Sequence, residues 1–241
     1  MEINSISFEL DKNGIAILRL DDPENSVNKL HQNDIAWLLE FLSNIDRQLD
    51  MIENENEIRA VVLYSHKKDS FIDGADIGEY LNFTLADEGR AYSLRAQEVT
   101  EKIESSRVPF IAAVSGSCLA MGLELVLACT YRIAADNSQT YFGMNGVPSG
   151  LIPCAGGTQR LPRLLGTREA LDMILSGDTF NSKDAEHMGL IDEVVPEESV
   201  LDISLERAPL TLPNGDVIAY SKPLMLLVDE MSASAADMFA A

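Results

Sequence analysis

Several absences narrow the reading of this chain before any motif is considered. No run of about eighteen apolar residues occurs, so no segment reads as a membrane-spanning helix. The opening MEINSISFELDKNG has no basic start leading into a long apolar stretch. It alternates apolar and polar residues and reads as a strand, not a secretory signal. Cysteine is scarce. Cys118, Cys129 and Cys154 are widely spaced and odd in number, which fits neither a metal-ligand pattern nor a disulfide framework. They read as small buried residues in a reducing, cytoplasmic compartment. Positive charge is scarce too: 18 Lys and Arg stand against 39 Asp and Glu, a net charge of −21. Nucleic-acid binding demands a basic footprint and is excluded as a class; the acidic excess is read as solubility. His31, His66 and His187 lack partnered Asp or Cys spacing and read as structural or exposed.

What is present describes a globular α/β protein. The 241 residues are 46% hydrophobic, enough for a sizeable core. Residues 3–10 and 15–20 read as strands around an Asp11-Lys-Asn-Gly14 turn. Apolar residues at helical spacing predict a long amphipathic helix over 31–52. A short apolar run at 60–64 predicts a buried strand, and 86–105 a helix stopping before Pro109. Strands follow at 110–114, 132–135, 140–142 and 191–195. Helices are expected at 121–129, 158–165, 167–176 and 182–188. Strands alternating with helices predict a layered α/β domain and exclude a helical bundle.

Three segments carry the chemistry. Residues 109–129, PFIAAVSGSCLAMGLELVLAC, run from an apolar strand through a small-residue turn into a helix with one acid, Glu124, on an apolar face. A lone carboxylate on a buried face costs several kcal/mol unless it is paired, hydrogen-bonded or neutralised. Upstream lies Phe71-Ile-Asp-Gly-Ala-Asp-Ile77, and downstream Cys154-Ala-Gly-Gly-Thr-Gln-Arg-Leu161. Together, in this order, they resemble the crotonase (enoyl-CoA hydratase/isomerase) family over about residues 3–202, especially the hydratase part of the fatty-acid oxidation multifunctional alpha subunit.

The resemblance implies a ββα spiral and chemistry on an acyl thioester through an enolate. Such chemistry needs two backbone N–H donors where negative charge develops on the thioester oxygen. The resemblance places them at Ala75 and Met121. Gly74, Asp76 and Gly122 flank them and are expected to bind substrate, and Lys29 lies where relatives meet the coenzyme A moiety. Taken alone, Gly74-Ala75-Asp76 also reads as a strand-to-helix turn with Asp76 as cap.

Glu124 matches the first of the family's two catalytic glutamates, which share base and acid roles in adding water across the double bond. The simpler reading is a buried acid satisfied by backbone or Arg. The second glutamate falls at Gly146, so one expected acid is absent and hydration is expected to be impaired. Where relatives carry consecutive glycines, this chain has Ala120, Met121 and Gly122, and Met121 is expected to crowd the pocket. Gly156-Gly157-Thr158 is read as a glycine turn with a Thr cap opening a helix; Arg160 and Arg163 read as surface or phosphate contacts, a solvated face being the simpler reading. No metal is expected, and no cofactor beyond coenzyme A as part of the substrate. The net charge is unfavourable to the phosphates of that group, which would need local Lys or Arg.

The expected division is a crotonase-like domain over 1–202 and an atypical strand-helix tail over 203–241. The tail resembles the nucleophile segment of tail-specific serine peptidases, with Ser234 at the nucleophile position, and also a second copy of the 109–124 element. The lysine base such a peptidase needs should lie downstream, and none follows Ser234. The tail is therefore expected to be a fusion or truncated element whose 224–228 strand packs on an open edge or another subunit. The resemblance admits a homo-oligomer; the helices that usually build the family's trimer are missing after 202, which counts against that assembly. The rival readings are a crotonase-fold protein without turnover, inactive or chimeric, and a serine peptidase fragment.

Overall fold

The computed structural model describes residues 5–49, 58–208, 210–211 and 217–218. The chain opens with strands β1 (Ile6–Leu10) and β2 (Ile15–Leu20), an antiparallel pair in which Ile6 faces Leu20 and Leu10 faces Ala16. Asp11 Oδ1 fixes the turn by accepting from the N–H groups of Asn13 and Ile15, both at 2.8 Å. Helix α1 (Gln32–Leu49) follows; the expected extension through 52 lies outside the described residues, as does the expected start of the first strand at residue 3.

The next segments repeat a two-strand-then-helix unit. β3 (Ala60–Ser65) and β4 (Ser70–Ile72) lead into α2 (Ile77–Tyr80) and α3 (Ala86–Glu104). β5 (Phe110–Val114) and β6 (Ser117–Leu119) lead into α4 (Met121–Leu127). β7 (Tyr131–Ala135) and β8 (Tyr141–Gly143) lead into α5 (Gly157–Leu165) and α6 (Thr167–Ser176). In each unit the first strand joins one sheet and the second joins another. The first sheet runs β1-β2-β3-β5-β7-β10, with β10 at Glu193–Val195, and every pair after the opening hairpin is parallel. The second runs β4-β6-β8-β9, with β9 (Thr179–Asn181) antiparallel and leading into α7 (Ser182–His187). This is the expected ββα spiral.

Side chains alternate across the first sheet. Val61, Leu63, Phe110 and Ala112 enter the main core against Leu38, Phe71 and Leu123, while Val62, Ile111 and Ile133 face the other side. That other side is covered by α8 (Val200–Arg207), a helix the sequence pattern did not announce, which seats Val200 there, with Ala208 just beyond it. A sheet buried on both faces explains why β3 and β5 read as continuous apolar runs. Helix α8 runs through residue 202, so the chain continues past that point as part of the sheet's cover. Beyond it the structure describes a short antiparallel pairing of β11 (Leu210–Thr211) with β12 (Val217–Ile218). The expected packing of 224–228 and the environment of Ser234 lie outside the described residues.

Candidate active site

Two strand-to-helix corners meet at the site. At the first, β4 ends at Ile72 and the chain turns through Gly74, at φ +100°, a region closed to most side chains. Leu30 grips the corner on both sides of Ala75: its N–H donates to the Gly74 carbonyl (2.9 Å), and its carbonyl accepts from the Asp76 N–H (3.0 Å). Asp76 caps α2 by accepting from the Gly78 N–H (3.3 Å). At the second corner β6 turns into α4 through Ala120, at φ +46° and ψ −118°, the only non-glycine residue with positive φ among those described. The Ala120 N–H donates to the Gly143 carbonyl (2.9 Å), and the Glu124 N–H donates back to Ala120 (3.0 Å). Among the described residues, neither the Ala75 N–H nor the Met121 N–H has a protein acceptor. For Met121 the reason is general: the first N–H groups of a helix have no partner inside it.

Glu124 lies one turn into α4 and is 2% exposed. Its Oε1 accepts from the N–H groups of Ala155 (2.8 Å) and Gly157 (2.7 Å), and its Oε2 from that of Cys154 (3.2 Å). The carboxylate thus closes the N-terminus of α5 from a different helix, where the helix dipole favours negative charge. A Cβ at Gly157 would stand 2.9 Å from Oε1, so a side chain there would force the acid or the loop to shift. The expected Thr158 cap is absent: the N-cap is Gly156, no side chain of its own caps the helix, and Glu124 takes that place. Burial pushes the Glu124 carboxyl above its ordinary range, against the pull of three N–H donors and the Arg160 charge. Arg160 is not on a solvated face. It is 8% exposed, bonded to Glu104 (2.7 Å), Thr100 (3.2 Å) and the Ala155 carbonyl (3.1 Å).

The corners and the acid open on one cavity of about 460 Å³, which Gly74, Ala75, Met121, Glu124 and Gly146 all line. Gly146 begins a one-turn helix over Val147–Ser149 with φ −77°, backbone that any residue adopts. A Cβ there would meet the Leu151 carbonyl at 3.3 Å, a tight fit that needs a small local shift. Lys29, Asp76 and Gly122 do not line the cavity. Lys29 Nζ pairs with Asp76 Oδ1 at 3.3 Å beside the first corner. Gly122 is a packing residue: a Cβ there would come within 2.5 Å of the Ile72 carbonyl, so glycine lets α4 lie against β4.

Further residues line the cavity. Tyr80 and Tyr92 meet edge-on, centroids 5.1 Å apart, and the Tyr92 hydroxyl donates to Met121 Sδ at 3.5 Å. Burial pushes the Tyr80 phenol up to about 12, and burial with the neighbouring Glu124 charge pushes the Cys154 thiol up to about 12. Both stay protonated at neutral pH. Asp73 also lines the cavity, and its carboxylate accepts from the hydroxyls of Ser70 (3.1 Å) and Ser117. Asp73 and Cys154 stand inside the segments singled out in the sequence, and Tyr92 stands at helical spacing with buried Ala96, Val99 and Ile103 on α3.

Comparison with known proteins fits this geometry. Residues 11–219 match the family described as enoyl-CoA hydratase/isomerase. The fatty acid oxidation complex subunit alpha of Shewanella loihica is 43% identical over 204 residues, covering 84% of this chain and 28% of that protein. Its counterpart from Idiomarina loihiensis is 36% identical over 204 residues, again 28% of its length. The chain therefore spans under a third of these curated relatives. Among solved structures, an enoyl-CoA hydratase from Bacillus anthracis superposes with a TM-score of 0.75 at 31% identity, covering 85% of this chain and 75% of that one. One from Mycobacterium smegmatis gives 0.74 at 26% identity, covering 83% and 74%. The likeness of 203–241 to a peptidase nucleophile segment finds no support in these matches, and the family match itself runs past 202 to residue 219. Fold, motif order and relatives agree: the chain belongs to the enoyl-CoA hydratase/isomerase (crotonase) family.

Proposed function

We propose that this chain binds an acyl-coenzyme A thioester and stabilises its enolate, with the Ala75 and Met121 N–H groups as oxyanion donors and Glu124 as the principal acid–base group. The observation that carries the reading is the convergence on one cavity of two corners whose N–H groups have no acceptor among the described residues and a buried carboxyl of raised pKa. Preorganised donors in such a site act where charge develops, and a carboxyl shifted towards neutrality is suited to proton transfer. In hydration Glu124 would take a proton from water as its oxygen bonds to the β-carbon, and a second acid would protonate the α-carbon. Gly146 stands where that acid is expected, so we propose weak hydration. Lys29 is proposed to meet the coenzyme A moiety from beside the first corner. The relatives' name points to fatty acid oxidation as the setting, and the scarce, scattered cysteines support a reducing, cytoplasmic compartment.

The second reading is a crotonase fold retained for binding without turnover, favoured by Gly146 and by the strained Ala120 immediately before the Met121 donor. The deciding experiment is hydration of crotonyl-CoA by the purified chain beside Gly146→Glu and Glu124→Gln. Weak activity raised by the first change and abolished by the second supports the enzyme. Coenzyme A thioester binding with no turnover in any variant supports the second reading.

A further inference from the structure

The segment 21–31 between β2 and α1 holds the first corner in place. The Asn28 carbonyl accepts from the Asp73 N–H (2.8 Å), and Leu30 grips both sides of Ala75. Directly after Leu30, His31 sits among four carboxylates from four parts of the chain. Its Nε2 lies 3.1 Å from Asp22 Oδ2 in the same segment. Its Nδ1 lies 3.7 Å from both Asp76 Oδ2 at the corner and Glu79 Oε1 on α2. Its backbone N–H donates to Asp34 Oδ2 of α1 at 2.9 Å. Two lysines border the cluster. Lys29 Nζ pairs with Asp76 Oδ1 (3.3 Å), and Lys67 Nζ with Asp21 Oδ1 (3.1 Å) and the Asp22 carbonyl (2.7 Å). No residue of α2 is fully buried, so polar contacts weigh heavily in fixing that turn.

A neutral imidazole donates from one nitrogen only. With the proton on Nε2 it bonds Asp22 and turns a lone pair towards Asp76 and Glu79. With the proton on Nδ1 the lone pair faces Asp22 instead. Only the cation has a donor for each side. This inference rests on the acyl-thioester reading, in which the Ala75 N–H meets the thioester oxygen. We propose that His31 is a positioning residue for that donor: as a cation it clamps the 21–31 segment to the Asp76–Glu79 turn, aligns the Ala75 N–H and makes acyl-thioester affinity depend on its charge. Burial disfavours the charge on His31, but the Asp22 bond and the charges of Asp34, Asp22 and Glu79 outweigh it and raise its pKa. A ligand that needs the clamp closed draws a proton onto His31. Affinity is therefore highest where His31 is charged, below about pH 6.5, and falls as pH rises through the folded value.

The test is titration calorimetry of the full chain with butyryl-CoA at about pH 6 and about pH 9, for wild type, His31→Gln and His31→Arg. Infrared difference spectra of the bound, isotope-labelled thioester carbonyl accompany it. Affinities are read as ratios between variants at each pH, which removes the titration of the ligand's phosphates and of Glu124. Wild type should bind about tenfold tighter than His31→Gln at the lower pH and equally at the higher, tenfold being the worth of one pH unit between bound and free titrations. The carbonyl stretch should lie lower in wild type than in His31→Gln at the lower pH, because well-placed donors polarise it, and coincide at the higher. His31→Arg stays charged and should keep its advantage over His31→Gln at both. A ratio of wild type to His31→Gln that stays constant with pH overturns the proposal. So do variants that move the unfolding midpoint and leave the carbonyl stretch where it was, as a role in folding alone would give. If His31→Gln does not fold, the ratio of His31→Arg to wild type decides: it should open from about one to about tenfold as pH rises, and a constant ratio overturns the clamp. Failure of wild type to bind butyryl-CoA at either pH overturns the acyl-thioester reading, and this inference with it.

Discussion

Replacing Ala120 by glycine should stabilise the protein. Ala120 has φ +46° and ψ −118°, where an L side chain crowds its own backbone. Holding a residue in such a region costs about 1–3 kcal/mol, and glycine escapes that cost. Against it stands the greater freedom of glycine in the unfolded chain, about 0.4–1 kcal/mol. The lost methyl contributes little more, because Ala120 is only half-buried. A net gain of about 1 kcal/mol is expected, which for a domain of this size raises Tm by about 2–4 °C. Urea unfolding followed by far-UV circular dichroism reads the change as a higher midpoint at unchanged slope. The complementary change, Gly74→Ala, should cost stability on two counts: φ +100° at residue 74, and a new Cβ 3.3 Å from that of Ala120. If Ala120→Gly lowers the midpoint by the equivalent of 1 kcal/mol or more, the corner is not strained and the argument fails.

Glu124→Gln should lower any acyl-CoA turnover by about 10²–10⁴-fold. It should also cost about 1–3 kcal/mol in unfolding free energy, because an amide offers the Cys154, Ala155 and Gly157 N–H groups a weaker acceptor. Gly146→Glu should raise crotonyl-CoA hydration, since residue 146 has ordinary backbone angles and faces the cavity; a wild-type kcat already in the ordinary range of about 1–10³ s⁻¹ would show that another residue supplies the proton. Gly89→Ala should stabilise α3 by about 0.5–1 kcal/mol, since glycine is a poor interior helix residue and the new methyl meets only Phe83 at ordinary contact distance; a lower Tm would count against it. His31 bonds Asp22 through Nε2 at 3.1 Å, and although burial disfavours its charge, that bond with the charges of Asp34, Asp22 and Glu79 raises its pKa. Its contribution should therefore be fully present below about pH 6.5 and fall as pH rises through the folded value. Urea midpoints of wild type and His31→Asn that change in parallel with pH would refute this.

How much of this was legible in the sequence depended on length and on which groups carry the bonds. β3 and β5 were visible because burial on both faces leaves an unbroken apolar run, as in Phe110-Ile-Ala-Ala-Val114. The strands β4, β6 and β9 have three residues each, and Ser117–Leu119, small and polar at its start and lying between Gly116 and Ala120, was indistinguishable from a turn. Helix α8 was missed because its apolar face covers a sheet already satisfied on its other side. At the site, the lone acid on an apolar helix was a sound signal of something needing a partner. Its partners are backbone N–H groups some thirty residues away, which leave no side-chain signature beyond the glycine that lets them approach.

The grip of Glu124 on the Cys154–Gly157 loop has a consequence for how this molecule can change. That carboxylate is a keystone: it joins α4 to the start of α5 whether or not any thioester is turned over. Selection for a folded protein is enough to keep it. Residue 146 has no such second duty, since a glycine there leaves its turn intact. If the proposed chemistry holds, mutation can strip the reaction from such a chain by that route without touching its architecture, with pressure to stay folded and pressure to react coming apart at position 146.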